Sequence, residues 1–209
     1  MFRKLLRYVF SSAAACMVAA CAQTPSSTAG YAPYGHPAQD TQAVSSQPAV
    51  PFGKKIRLKA QNIKFISSYN PPNRAPNIDH LLLVTPEQIV HKWAENRFAV
   101  NGTPDRFVRF LIKDASIVEE NVITGSCFKT VMQQYTGKLE VTIQIVDSEG
   151  RVLIETTAQA VKRELMEGSS SIEERQKVWV NLMFDLVRLL SARLDADVSS
   201  PAFNDFVDR

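Results

Sequence analysis

The stretch from Tyr135 to Ile145 alternates in a way that only a strand satisfies. Tyr135, Leu139, Val141, Ile143 and Ile145 point one way, while Thr136, Lys138, Glu140, Thr142 and Gln144 point the other. A period of two marks a strand with one buried and one wetted face. Asp147-Ser148-Glu149-Gly150 follows as a hairpin turn, with glycine placed to take a positive φ. Val152, Ile154, Thr156, Ala158 and Ala160 then carry the apolar face back along a return strand. The remaining elements must cover one side of an antiparallel hairpin and leave the other in water.

Those elements are readable on both sides of it. Ile56, Leu58 and Ala60 alternate with Arg57, Lys59 and Gln61, which predicts a first strand running towards Phe65. Pro71, Pro72 and Pro76 interrupt regular structure after it. Thr85, Pro86 and Gln88 then form a helix start: an N-cap, a proline at the first position and the third-position partner of a capping box. Val84 and Ile89 are spaced for a hydrophobic staple. Ile89, Val90, Trp93, Ala94 and Phe98 make the buried side, and Asn101-Gly102 closes the helix.

Arg106 to Val118 reads as a strand with Val108, Phe110 and Ile112 on one face. Ser171 and Glu174 open a long helix with a second capping box. Its apolar stripe is Ile172, Trp179, Leu182, Met183, Leu186, Leu189 and Leu190, and a stripe of this width faces a core. The order β-α-β-β-β-α predicts an α+β fold, with two helices packed on one face of a mainly antiparallel sheet of about four strands. The domain runs over residues 52–198. Residues 199–209 read as a loose tail on which Phe203 and Phe206 could dock.

The chain begins differently. Arg3, Lys4 and Arg7 precede the uncharged run from Tyr8 to Ala20, the form of a secretory signal over residues 1–20. A spanning helix needs roughly 20 apolar residues, and the polar Gln23, Thr24 and Ser26 arrive too early for one. Val18-Ala19-Ala20-Cys21 resembles the lipobox of bacterial lipoproteins. That resemblance implies a diacylglyceryl thioether on Cys21, cleavage before it and acylation, commonly by palmitate, of the new amino group. With Ala22 rather than aspartate after the cysteine, it implies the periplasmic face of the outer membrane rather than the inner membrane. Ala13-Ala14-Ala15-Cys16 is a competing match with a shorter apolar region, and plain cleavage after Ala20 is the other alternative. Two or three acyl chains hold a soluble body on a bilayer permanently, because each buried methylene contributes about 0.8 kcal/mol.

Residues 21–51 hold Pro25, Pro33, Pro37, Pro48 and Pro51, with Asp40 as their one charge. This composition cannot offset its own ordering entropy, so the segment reads as a disordered tether, on the order of 30 Å in root-mean-square span. Charge must be recounted after the cut. The chain has 24 Lys+Arg and 21 Asp+Glu; removing the 3 signal cations leaves 21 against 21, since the signal holds no acid. A basic protein that binds nucleic acid is therefore not what the body of the chain describes. Cys127 stands alone once Cys16 is removed and Cys21 acylated. It reads as a buried, inert thiol, with an intermolecular partner as the alternative.

No nucleophile elbow, P-loop, dinucleotide fingerprint or paired-cysteine metal motif is present. His80 and His91 are the domain's histidines, and no local cluster supplies the three or four ligands of a metal site. No cofactor or catalytic residue is expected. With its anchor and tether, the element order over residues 52–198 is similar to that of small outer-membrane assembly lipoproteins, such as the lipopolysaccharide-assembly lipoprotein. It is also similar to auxiliary lipoproteins of lipid-transport ABC systems. The run "DASIVEE…GRVL…W" resembles uncharacterised proteobacterial lipoproteins.

These likenesses imply a non-catalytic envelope lipoprotein that binds a protein partner. A lipid-binding auxiliary module is the alternative, and an anchored enzyme acting through His80 or His91 the third. The loop Tyr69 to Asn77 is stiffened by three prolines and carries Tyr69 and Arg74, residue types common at interface hot spots. Its two readings are a partner-binding loop and a loop that only sets the path from strand to helix.

Overall fold

A computed structural model describes residues 53–208. The signal, Cys21 and the tether lie outside the described residues. In chain order the elements are β1 (Ile56–Leu58), β2 (Asn62–Ser67), α1 (Pro86–Arg97), β3 (Phe98–Val100), β4 (Arg106–Thr124), β5 (Thr130–Asp147), β6 (Val152–Glu167), α2 (Ile172–Val198) and β7 (Val207–Asp208). Short 3₁₀ turns lie at Asp79–Leu81 and Pro201–Phe203.

The fold is α+β. The hairpin read from alternation is β5–β6, and its turn takes Gly150 at φ 82°. It sits in a four-stranded sheet of order β2-β4-β5-β6, in which β2 runs parallel to β4 and the other pairings are antiparallel. Val108, Phe110 and Ile112 of β4 are buried beside Tyr135, Leu139, Val141, Ile143 and Ile145 of β5. A register shift between Ile112 and Asp114 leaves Lys113 exposed and returns Ala115 and Ile117 to the buried face. The bulge absorbs one polar residue without turning the apolar set outward.

Both capping boxes form. The Thr85 hydroxyl accepts from the Gln88 N–H and the Gln88 side chain accepts from the Thr85 N–H; Ser171 and Glu174 repeat the exchange. Val90, Trp93 and Ala94 turn α1 to the sheet, where Trp93 meets Phe110 and Phe98 edge-on. Leu182, Met183, Leu186 and Leu190 do the same for α2, and Trp179 stacks edge-to-face on Tyr135 with centroids 5.8 Å apart. Gly137 occupies an inward position of β5 under this helix. A Cβ built there would lie 2.4 Å from Leu186 Cδ1, so the missing side chain sets how closely α2 approaches the sheet.

Several expectations give way. The first strand divides in two: Ala60 N–H donates back to the Leu58 carbonyl at 3.0 Å, and this bend moves the chain from one sheet into another. β1 lies in a three-stranded sheet of order β3-β1-β7. Helix α1 ends at Arg97 rather than at Asn101-Gly102, because Phe98 pairs with Ile56 in that sheet. The tail is docked, not loose. Phe203 is buried, Phe206 lies under the Arg106 guanidinium, and Val207 pairs with Leu58. Ile172 and Leu189 are exposed, and Val187, Leu194 and Val198 complete the buried stripe in their place. Val152, placed on the apolar face, is also exposed. Cys127 is exposed too, in the loop between β4 and β5, so it is not a buried thiol.

Candidate functional site

The proline loop is fastened to β4 at its far end. Ile78 N–H donates to the Ile117 carbonyl at 3.0 Å, and Glu119 N–H donates to the Pro76 carbonyl at 2.9 Å. Asp79, 2 % exposed, accepts from the Ile117 N–H at 2.7 Å and from the Tyr69 hydroxyl at 2.5 Å. A buried carboxylate needs such partners, and here they join the two ends of the loop to the sheet. Burial, then the bond to Asp79, raises the Tyr69 pKa well above its ordinary value. Tyr69 is therefore half-buried with its hydroxyl committed, while Arg74 is exposed at the loop's outer side.

The same end of β4 runs on into an arm. β6 pairs with β5 as far as Met132, and beyond it β4 and β5 continue as two strands, with Ile123 opposite Val131 and Thr124 opposite Thr130. Ile123 is 69 %, Val131 56 % and Phe128 90 % exposed. Leu83, in the segment between the Asp79 turn and α1, is 94 % exposed. The residues from Asn121 to Gln134 include no acid and one cation, Lys129. Ile123, Phe128 and Val131 thus leave apolar surface in water at this end of β4. Sequence periodicity missed this feature because the alternation continues past the point where a helix covers it.

At the opposite end of the sheet, Asn62, Lys64, Phe107, Arg109, Val146 and Ser148 line a groove of about 320 Å³ on the face away from the helices. Arg151 holds the pKa of neighbouring Asp147 low through a side-chain bond of 2.7 Å. Midway along that outer face Thr142 is fully buried, its hydroxyl 2.7 Å from that of Thr157.

The histidines are placed apart in role. His80 is exposed in its turn, and His91 lies on α1 against the Phe65 ring, 3.6 Å from Glu95. Among the described residues no three His, Cys, Asp or Glu side chains group as metal ligands, and no helix is long and apolar enough to cross a membrane.

No protein-family model matches the sequence, and no curated protein matches it. Solved structures do. A minor lipoprotein from Acinetobacter baumannii is 11 % identical over 73 % of this chain and 98 % of its own, with a TM-score of 0.37. The rare lipoprotein B from Shewanella oneidensis is 10 % identical over 66 % and 96 %, with a TM-score of 0.35. A neuraminyllactose-binding hemagglutinin homolog from Helicobacter pylori is 9 % identical over 73 % and 90 %, with a TM-score of 0.36. These values describe a loose likeness of fold.

Proposed function

We propose that the chain is a non-catalytic envelope lipoprotein, held on the outer membrane through acylated Cys21, whose domain binds a protein partner. The anchor rests on the lipobox resemblance and on the uncharged run before it. The observation that carries partner binding is the apolar arm: Ile123, Phe128 and Val131 are exposed on a two-stranded extension at the end of β4 where the proline loop is fastened. An aromatic and two branched side chains on a chain segment without acids supply the apolar centre of an interface, and Arg74 supplies its polar rim. Lys129 is the one charged residue between Asn121 and Gln134.

Photo-crosslinkers at positions 74 and 128 in living cells test this. Both positions should capture one and the same envelope protein, and Phe128→Ser should weaken capture without lowering thermal stability. Capture from exposed sheet positions such as Gln159, with none from 74 or 128, would move the binding surface elsewhere. Mass spectrometry of the mature protein should begin at acylated Cys21, and Cys21→Ser should release the domain from membranes.

A further inference from the structure

We propose that the groove beside the Asp147 turn binds the phosphate headgroup of an anionic amphiphile, with Lys64 and Arg109 holding the phosphate. The two residues are directly paired in the parallel register of β2 and β4 and project on the same outer face. Like charges so placed repel each other. Among the described residues neither has a carboxylate partner. The nearest carboxylate in the groove, Asp147, is already occupied: it accepts from the Glu149 and Arg151 N–H groups at 2.9 Å each and from Arg151 Nε at 2.7 Å. Glu155, farther along the face, accepts from the Gln144 amide at 2.5 Å. Among the described residues the sheet thus holds two adjacent cations with no carboxylate bonded to either.

Their chemistry selects the ligand. A guanidinium fork and an ammonium point charge together suit a phosphate. The groove, about 320 Å³, has the size of a small-molecule site, and Phe107 and Val146 give it an apolar wall beside the cations. An anion carrying an apolar portion fits both parts; a bare ion uses only one. From the tether reading this inference takes only the ligand's source, the membrane on which the chain would reside.

The test uses the mature chain with Cys21→Ser and a water-soluble, short-chain photoactivatable phosphatidylglycerol, so a failed anchor leaves it intact. Label should concentrate on the segments around Phe107 and Ser148. It should fall about tenfold in the Lys64→Gln, Arg109→Gln double variant, as loss of charge-assisted bonds requires. Lys64→Arg should keep it, and thermal unfolding should report that all variants are folded. Equal labelling by the phosphatidylcholine analogue, or labelling unchanged in the double variant, overturns the proposal. Complete displacement by inorganic phosphate at the probe's own concentration would assign the groove to a bare anion and also overturn it.

Discussion

The Tyr69 hydroxyl donates to the buried Asp79 carboxylate at 2.5 Å, and that carboxylate also accepts the Ile117 N–H of β4. One side chain therefore ties both ends of the proline loop to the sheet. Tyr69→Phe removes one of the two bonds and should cost about 1–3 kcal/mol in urea unfolding, because the carboxylate stays buried. Asp79→Ala should cost more, since it also leaves the Ile117 N–H unpaired. If Tyr69→Phe were neutral, the latch would not hold the loop.

The same bond sets an alkaline limit. Burial, with Asp79 next, raises the Tyr69 pKa above its ordinary 10.0, and burial followed by the charge of Glu119 raises that of Tyr135. Both phenols hold their protons more tightly folded than unfolded. Their contribution is complete below about pH 10 and declines as pH rises above it. Unfolding midpoints should hold steady up to about pH 10 and fall above it, and Tyr69→Phe should flatten that fall.

On the acid side, Lys162 of β6 holds Asp185 of α2, and the bond lowers the Asp185 pKa below its ordinary 3.8. Depressed pKa values give stability that is present above the unfolded value and lost as pH falls towards the folded one. A double-mutant cycle on Lys162→Met and Asp185→Asn should give about 0.2–1 kcal/mol at neutral pH, because the pair is partly exposed. The coupling should decline as pH falls below the ordinary carboxylate range, where the Asp185 side chain takes up its proton.

Gly137 is the tightest point under α2. Gly137→Ala places a methyl group 2.4 Å from Leu186 Cδ1, and Leu186 is fully buried in the core. Overpacking of this kind should cost about 1–3 kcal/mol, with a lower melting temperature as the check. Truncating the neighbouring Trp179, 3 % exposed, to alanine should cost about 3–5 kcal/mol.

Cys127 should react with a maleimide in the native state as fast as in urea, since its thiol is exposed. Slow labelling that accelerates on unfolding would place the thiol in a covered position.

What the sequence determined by itself was local. Alternation from Tyr135 to Ile145, the Gly150 turn and the two capping boxes are decided by neighbours within a few residues, and they form as read except at Thr142, which is buried on the face expected to be wet because Thr157 of β6 takes its hydroxyl. Tertiary structure decided everything that depended on a distant partner. Phe98 leaves its helix because Ile56 offers a strand, Lys59 to Gln61 bend because two sheets compete for the segment, and the tail docks because β1 has a free edge. Tyr69 could not be told from an exposed interface residue until Asp79 was placed beside it. The cation pair Lys64 and Arg109 is invisible along the chain for the same reason, since only the parallel register of β2 and β4 brings the two together.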